Sequence, residues 1–241
     1  MSLSIADVLA AATLLAGPVL YLCESGGFVN FQYSKFADVT SAWALPSKLG
    51  MFLFYAPAAI ITPLCFLQAK PSASQSIMAT LITVHFVKRC LECLFLHRFS
   101  GFTSLWTIFL VSTLYEVGSY LFMVKMGSFG GHFKVGLALF VIGELGNLYH
   151  HWLLRRLRDD GSRTYKTPSG ALFSFVCCPH YSFEIFSWIG MALVAGHLYA
   201  SIFVSASALY LAGRSVATLS WYRQKEIQIP KSWRRLIPYV F

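Results

Sequence analysis

Charge is scarce in this chain, and negative charge most of all: 12% of its 241 residues are Asp, Glu, Lys or Arg, and only 10 are acidic. A soluble domain carries about 25% charged residues. With 56% hydrophobic residues and a mean hydropathy of +0.60, a water-soluble fold is the weaker reading and an integral membrane protein is what remains. The 16% of aromatic residues excludes disorder, and a complement of six cysteines over this length excludes a disulfide-stapled miniprotein. Cys23, Cys65, Cys90, Cys93, Cys177 and Cys178 lie mostly inside apolar runs and read as packed thiols.

Several catalytic signatures are missing too. Gly127, Gly130 and Gly131 form a loose cluster with no strand before them, so a nucleotide site of the soluble glycine-loop kind is not expected. No nucleophile elbow occurs, and Asp7 is remote from the other polar residues, which weakens Ser-His-Asp catalysis. No metal centre is expected: His150 and His151 point apart on a helix, and Cys90 with Cys93 lacks a second ligand pair. Without a repeat or a second domain, residues 1–241 read as one membrane-embedded domain.

What the chain does have is long apolar runs. Crossing the hydrocarbon core takes roughly 20 residues, and seven segments qualify as spans: 5–23, 48–68, 77–96, 105–124, 134–154, 182–197 and 199–222. The fold class predicted is an all-α polytopic membrane protein with about seven transmembrane helices. The first run reads as a span rather than a signal peptide, because Asp7 precedes its apolar stretch and no basic start is present. Segments 24–47, 97–104, 155–181 and the C-terminal tail share one face and hold most of the Lys and Arg, including Lys35, Arg98, Arg163 and Arg234. The other face has little beyond Lys70 and Lys125. The positive-inside rule makes the first face cytosolic, with a lumenal N-terminus and a cytosolic C-terminus. This asymmetry explains much of the +9 net charge and argues against nucleic acid as a partner.

Half of the acids, Asp7, Glu92, Glu116, Glu144 and Glu184, fall within spans, where a charge costs roughly 3 kcal/mol on insertion scales. Such groups need partners or a wet cavity. In the fifth span Glu144, Asn147, His151, Arg155 and Arg158 recur every three or four residues and form one stripe. The third repeats the pattern with His85, Lys88, Arg89 and Glu92, where Lys88 and Glu92 are spaced to neutralise each other. The sixth places Tyr181, Glu184 and Trp188 on a face, and the seventh Arg214, Thr218, Trp221, Tyr222 and Lys225. Four polar stripes can line one pocket for a charged ligand. The connection 155–181 adds Arg155, Arg156, Arg158, Arg163, Tyr165 and Lys166, suited to phosphate.

Particular strings carry a family resemblance. His85-Phe-Val-Lys-Arg-Cys-Leu-Glu-Cys-Leu-Phe-Leu-His-Arg-Phe-Ser100 and Cys178-Pro-His-Tyr-Ser-Phe-Glu-Ile-Phe-Ser-Trp-Ile-Gly190 resemble segments of the very-long-chain trans-2-enoyl-CoA reductases. Gly146-Asn-Leu-Tyr-His-His-Trp-Leu-Leu-Arg-Arg-Leu-Arg158, Tyr165-Lys-Thr-Pro168 and Ile237-Pro-Tyr-Val-Phe241 resemble the wider steroid 5α-reductase family. The resemblance covers 85–241. It implies an endoplasmic reticulum enzyme that uses NADPH to reduce a carbon–carbon double bond conjugated to a carbonyl, with other fatty acid elongation enzymes as partners. Carried over, Lys88 and Tyr181 match the catalytic pair of the enoyl-CoA reductases. Asn147, Arg158, Tyr165, Lys166, Glu184, Arg214 and Tyr222 match positions lining the NADPH site. His151 stands where the steroid enzymes carry Asp, and with Arg155 it is placed in the same site; His85 and Glu92 are assigned to the substrate pocket.

Other positions depart from the steroid enzymes. Phe54-Tyr55 and Phe86 stand where those proteins bind a steroid ketone, Thr218 replaces a His and His180 an Asn. The ubiquitin-like domain common in the enoyl-CoA reductases is not expected in a chain of this length. Loss of the ketone-binding carboxylate favours an enoyl thioester, with Tyr181 polarising its carbonyl and Lys88 stabilising the developing charge. A steroid or polyprenol substrate is the alternative. A methyltransferase, and a transporter or scaffold, are more distant ones.

Overall fold

The structure, a computed structural model, describes residues 3–27, 31, 33, 36, 43–68, 71–124, 126–161 and 165–241. Lys35, Lys70, Lys125 and Arg163, which contribute to the charge asymmetry, lie outside the described residues. Among the described residues there are seven α-helices: α1 (Ile5–Gly26), α2 (Ser47–Gln68), α3 (Ala73–Leu91), α4 (Leu105–Met123), α5 (Phe133–Arg156), α6 (Pro179–Ala195) and α7 (Leu198–Gln224). Ser4 and Ser72 start α1 and α3 through capping boxes with Asp7 and Gln75. Gly27 and Gly196 stop α1 and α6 in the left-handed conformation that glycine adopts without strain.

Among the described residues four helices, α1, α2, α4 and α7, are long and apolar enough to cross a membrane. Leu15, Val19 and Leu22 on α1, and Trp106 and Phe109 on α4, point outward, as side chains do when lipid covers them. α3 and α5 carry the polar stripes of the third and fifth spans, which lower their hydropathy, and α6, with 17 residues, is shorter than a full crossing. All six cysteines are free thiols, and Cys90, Cys93, Cys177 and Cys178 are buried.

The all-α expectation needs one amendment. A short antiparallel ribbon pairs β1 (Ala44–Pro46) with β2 (Phe102–Ser104), Leu45 opposite Thr103, and the Ser47 N–H donates to the Gly101 carbonyl at 3.0 Å. The first turn of α2 is thereby fastened to the loop that follows α3. Near Tyr181, the C-terminal segment braces the start of α6: the Cys177 and Cys178 amides donate to the Arg234 and Arg235 carbonyls, and Ser182 Oγ donates to the Leu236 carbonyl at 2.7 Å.

α5 lies against α6 at glycine-mediated distance. A Cβ added at Gly143 would sit 2.4 Å from the Ser187 backbone nitrogen, and one at Gly136 would sit 2.6 Å from the Gly190 carbonyl oxygen. Backbone atoms cannot yield as a flexible side chain does, so Gly143→Ala is expected to force α6 away at a cost of about 1–3 kcal/mol. Thermal unfolding in detergent measures this; an unchanged midpoint would mean that the two helices are not locked at this contact.

Candidate functional site

The stripes of the third and fifth spans meet face to face. Lys88 Nζ lies 2.9 Å from Glu144 Oε2 and donates to Asn147 Oδ1 at 2.7 Å, while His85 Nδ1 lies 2.7 Å from Glu144 Oε1. Arg89 Nη1 donates to Glu92 Oε2 at 2.8 Å and lies 3.1 Å from His151 Nδ1; its Nη2 donates to the Tyr55 hydroxyl at 2.7 Å. Asn147 spends its Nδ2 on the His180 carbonyl, at 2.9 Å, and on Glu184 Oε2, at 3.3 Å. One amide thus joins α3 and α5 to the first turn of α6. The anticipated Lys88–Glu92 neutralisation is secondary: that pair is 3.8 Å apart, and the carboxylate closer to Lys88 comes from α5.

Two cavities open beside this network. The inner one, about 170 Å³, is lined by Tyr55, Arg89, Tyr115, His151 and Glu184 together with apolar Met51, Phe54 and Val111. The outer one, about 220 Å³, gathers Arg98, Arg155, Arg158, Lys166 and Arg214 with Tyr165 and Tyr222. Tyr33, His97, Phe99, Leu154, His180 and Tyr181 line both, so the cavities adjoin at Tyr181. Burial, reinforced by Arg89, lowers the His97 imidazole to about 4. It stands uncharged at this junction near neutral pH.

In the outer cavity Arg155 pairs with Asp159, Lys166 with Asp160 and Arg214 with Glu24. Among the described residues Arg98 and Arg158 have no carboxylate partner. A cavity whose lining among the described residues holds no acid, and in which two guanidiniums are not neutralised by a carboxylate, fits phosphate oxygens. Of the residues expected to hold the cofactor, Arg155, Arg158, Tyr165, Lys166, Arg214 and Tyr222 converge there; His151 and Glu184 line the inner cavity, and Asn147 lies in the network beneath both.

His85 and Glu92 do not line either cavity, which corrects their assignment to the substrate pocket. His85 is sealed between Glu144 and the Trp188 ring, 4.5 Å away, and Glu92 is taken up by Arg89 and His151. Both face α5 and the protein interior. Glu92, His97 and His151 bring three potential metal donors within 4.8 Å of one another. Arg89 Nη1 already contacts two of them, and a fixed positive charge there opposes a metal cation, so this donor set fits the guanidinium.

The sequence pattern misses Glu24, which is 1% exposed and holds Arg214 Nη1 at 3.0 Å. The first apolar run ends at Cys23, but the helix continues for three more residues. The available signal is Arg214 itself, a cation deep in the seventh span that requires an acid somewhere. The guanidinium also lies 4.1 Å from the ring centroids of Tyr33 and of Phe36. Glu24→Ala strands a buried charge and is expected to cost about 3–5 kcal/mol, with Glu24→Gln costing less. The midpoint of thermal unfolding reads the difference; equal midpoints for Glu24→Ala and wild type would mean that the two rings alone satisfy Arg214.

Comparison with known proteins follows the same residues. A family model described as 3-oxo-5-alpha-steroid 4-dehydrogenase matches 87–241, which takes in the end of α3 and all of α4, α5, α6 and α7. A very-long-chain enoyl-CoA reductase of Dictyostelium discoideum is 35% identical over 178 residues, covering 70% of this chain and 59% of that protein. A 3-oxo-5-alpha-steroid 4-dehydrogenase 1 of Mus musculus is 26% identical over 227 residues, covering 88% of each, and the Bos taurus protein of the same name is 26% identical over 249 residues, covering 97% of this chain and 96% of its own. With a family model matched over more than half its length and a reductase relative at 35% identity, the chain belongs to the 3-oxo-5-alpha-steroid 4-dehydrogenase, or steroid 5α-reductase, family of oxidoreductases.

Proposed function

We propose that this chain is an endoplasmic reticulum reductase with seven membrane-crossing helices, a lumenal N-terminus and a cytosolic C-terminus, which uses NADPH to reduce the 2,3 double bond of a trans-2-enoyl-CoA during very-long-chain fatty acid elongation. The junction at Tyr181 carries the reading. A basic outer cavity suited to phosphates meets there an aromatic and apolar inner cavity suited to an acyl chain.

Arg155, Arg158, Tyr165, Lys166, Arg214 and Tyr222 would hold NADPH in the outer cavity, and the bound cofactor would supply the hydride needed at C3. The addition pushes negative charge onto the thioester oxygen. Tyr55 accepts a hydrogen bond from Arg89, so its own proton is free to meet that oxygen, and the guanidinium strengthens the donation. Tyr181 gives its phenolic proton to C2 and regains one from water in the outer cavity. Lys88 is a positioning residue: it holds Asn147, which in turn holds the His180 carbonyl next to Tyr181.

Lys166 lines only the outer of the two cavities. Lys166→Ala is expected to raise KM for NADPH at least about tenfold, the scale of one charge-assisted hydrogen bond, with a smaller change in KM for the acyl substrate. Equal rises for both would assign Lys166 a structural role.

The deciding experiment follows NADPH absorbance for the purified protein with a long-chain trans-2-enoyl-CoA and, separately, with a Δ4-3-ketosteroid. Turnover of the thioester is expected. Turnover of the ketosteroid alone would favour the second reading, which the near full-length alignments with two steroid dehydrogenases support. No turnover of either would overturn both.

A further inference from the structure

A third cavity, about 460 Å³, lies between the first turn of α2 and the loop after α3, where the β1–β2 ribbon holds them together. Among the described residues its charged lining is Lys48, Arg98 and Arg158, with no carboxylate. Arg98 and Arg158 also line the outer cavity, so they stand on the wall between the two; Lys48 belongs to the third cavity alone. Arg158 Nη1 donates to the Arg98 carbonyl at 2.5 Å, which keeps the two arginines together.

Two independent features make this cavity a site for an anion. It opens at the N-terminus of the 22-residue α2, where the helix dipole and the first-turn N–H groups beyond Ser47, whose own N–H is spent on Gly101, favour negative charge. In that first turn Ser47, 1% exposed, lines the cavity, and its buried Oγ has no hydrogen-bond partner among the described residues. An unsatisfied buried hydroxyl costs free energy that a bound acceptor recovers. Phe99 and Phe102 also line the cavity, and Phe102 is 40% exposed. Cations, a hydroxyl and aromatic rings together suit a phosphorylated nucleoside.

We infer that the third cavity binds the phosphorylated adenosine of a coenzyme A thioester, separately from the cofactor in the outer cavity. The inference rests on the reading of the chain as an enoyl-CoA reductase and gives that reading its substrate class: a reductase handling two phosphorylated nucleotides at once needs two anion sites, and a steroid brings no phosphate to the second. Lys48 and Ser47 are then specificity determinants for the thioester. The acyl end extends past the shared arginines toward Tyr181.

The test is calorimetric binding of free coenzyme A to the full chain in detergent, saturated with NADPH. Wild type is expected to bind coenzyme A and to bind dephospho-coenzyme A more weakly. Lys48→Ala is expected to weaken coenzyme A at least about tenfold, the scale of losing one charge-assisted hydrogen bond. Ser47→Asp, which sets a carboxylate in the cavity, is expected to abolish binding. NADPH affinity, measured on the same variants, reports both folding and the identity of the bound nucleotide. Absence of coenzyme A binding by wild type, or weakening of NADPH as much as coenzyme A in Lys48→Ala, would overturn the inference, the latter by giving the cavity to the cofactor. Turnover separates the two proposals: binding without reduction of trans-2-enoyl-CoA would remove the enoyl reductase reading and keep the site, and reduction with coenzyme A binding unaffected by Lys48→Ala would do the reverse.

Discussion

Tyr181→Phe is expected to lower kcat for a trans-2-enoyl-CoA by at least about a hundredfold, the range for losing a general acid, with KM for NADPH nearly unchanged. The substitution removes one oxygen and keeps the ring that forms the wall between the inner and outer cavities. The brace around Tyr181 makes the result interpretable. Cys178 is tied to Arg235, Ser182 to Leu236 and the His180 carbonyl to Asn147, so the backbone on both sides is fixed by bonds that the phenol does not enter. A fall in kcat alone therefore reports the missing proton. If Tyr181→Phe turned over at the wild-type rate, the acid would have to be sought elsewhere on the inner cavity, first at Tyr55, whose hydroxyl is the one that Arg89 polarises.

The helices are legible in the sequence because an apolar run has to be about as long as the bilayer is thick. Spans read as 48–68 and 105–124 become Ser47–Gln68 and Leu105–Met123. The polar network is legible for the complementary reason: Glu144, Asn147 and His151 cannot be buried without partners, and spacing places them on one face. Which face they meet is not legible, since helix phase says nothing about the neighbour; α3 supplies it, 56 residues earlier for the Lys88–Glu144 pair. Glu24 escapes because hydropathy registers where apolar residues stop, and α1 runs on through Glu24 to Gly26. The ribbon escapes because two three-residue strands carry no periodicity and one includes Pro46. The continuation of α3 as a π turn over Glu92–Leu96, closed by His97 N–H donating to the Glu92 carbonyl at 2.8 Å, has no sequence signal of its own. That turn leads into His97, which lines both cavities.

Lys88→Met is expected to show two separable losses. Stability falls by about 3–5 kcal/mol, because Glu144 loses its cation in a buried setting, and kcat falls at least about a hundredfold, on the scale of the acid it serves to place. The second substitution Glu144→Gln tells these apart. A glutamine side chain there keeps a hydrogen bond to His85 and removes the stranded charge, so the double variant is expected to regain most of the lost stability. It does not restore the donor to Asn147 Oδ1, which Lys88 supplies at 2.7 Å. Without that donor Asn147 Oδ1 keeps only the 3.5 Å contact from Arg89 Nη1, the amide is held less firmly against the His180 carbonyl, and Tyr181 loses part of its support. Stability recovered with kcat still low is the outcome that assigns Lys88 to positioning. Recovery of both would reduce it to charge balance for Glu144, and wild-type kcat in the single variant would remove it from the mechanism altogether.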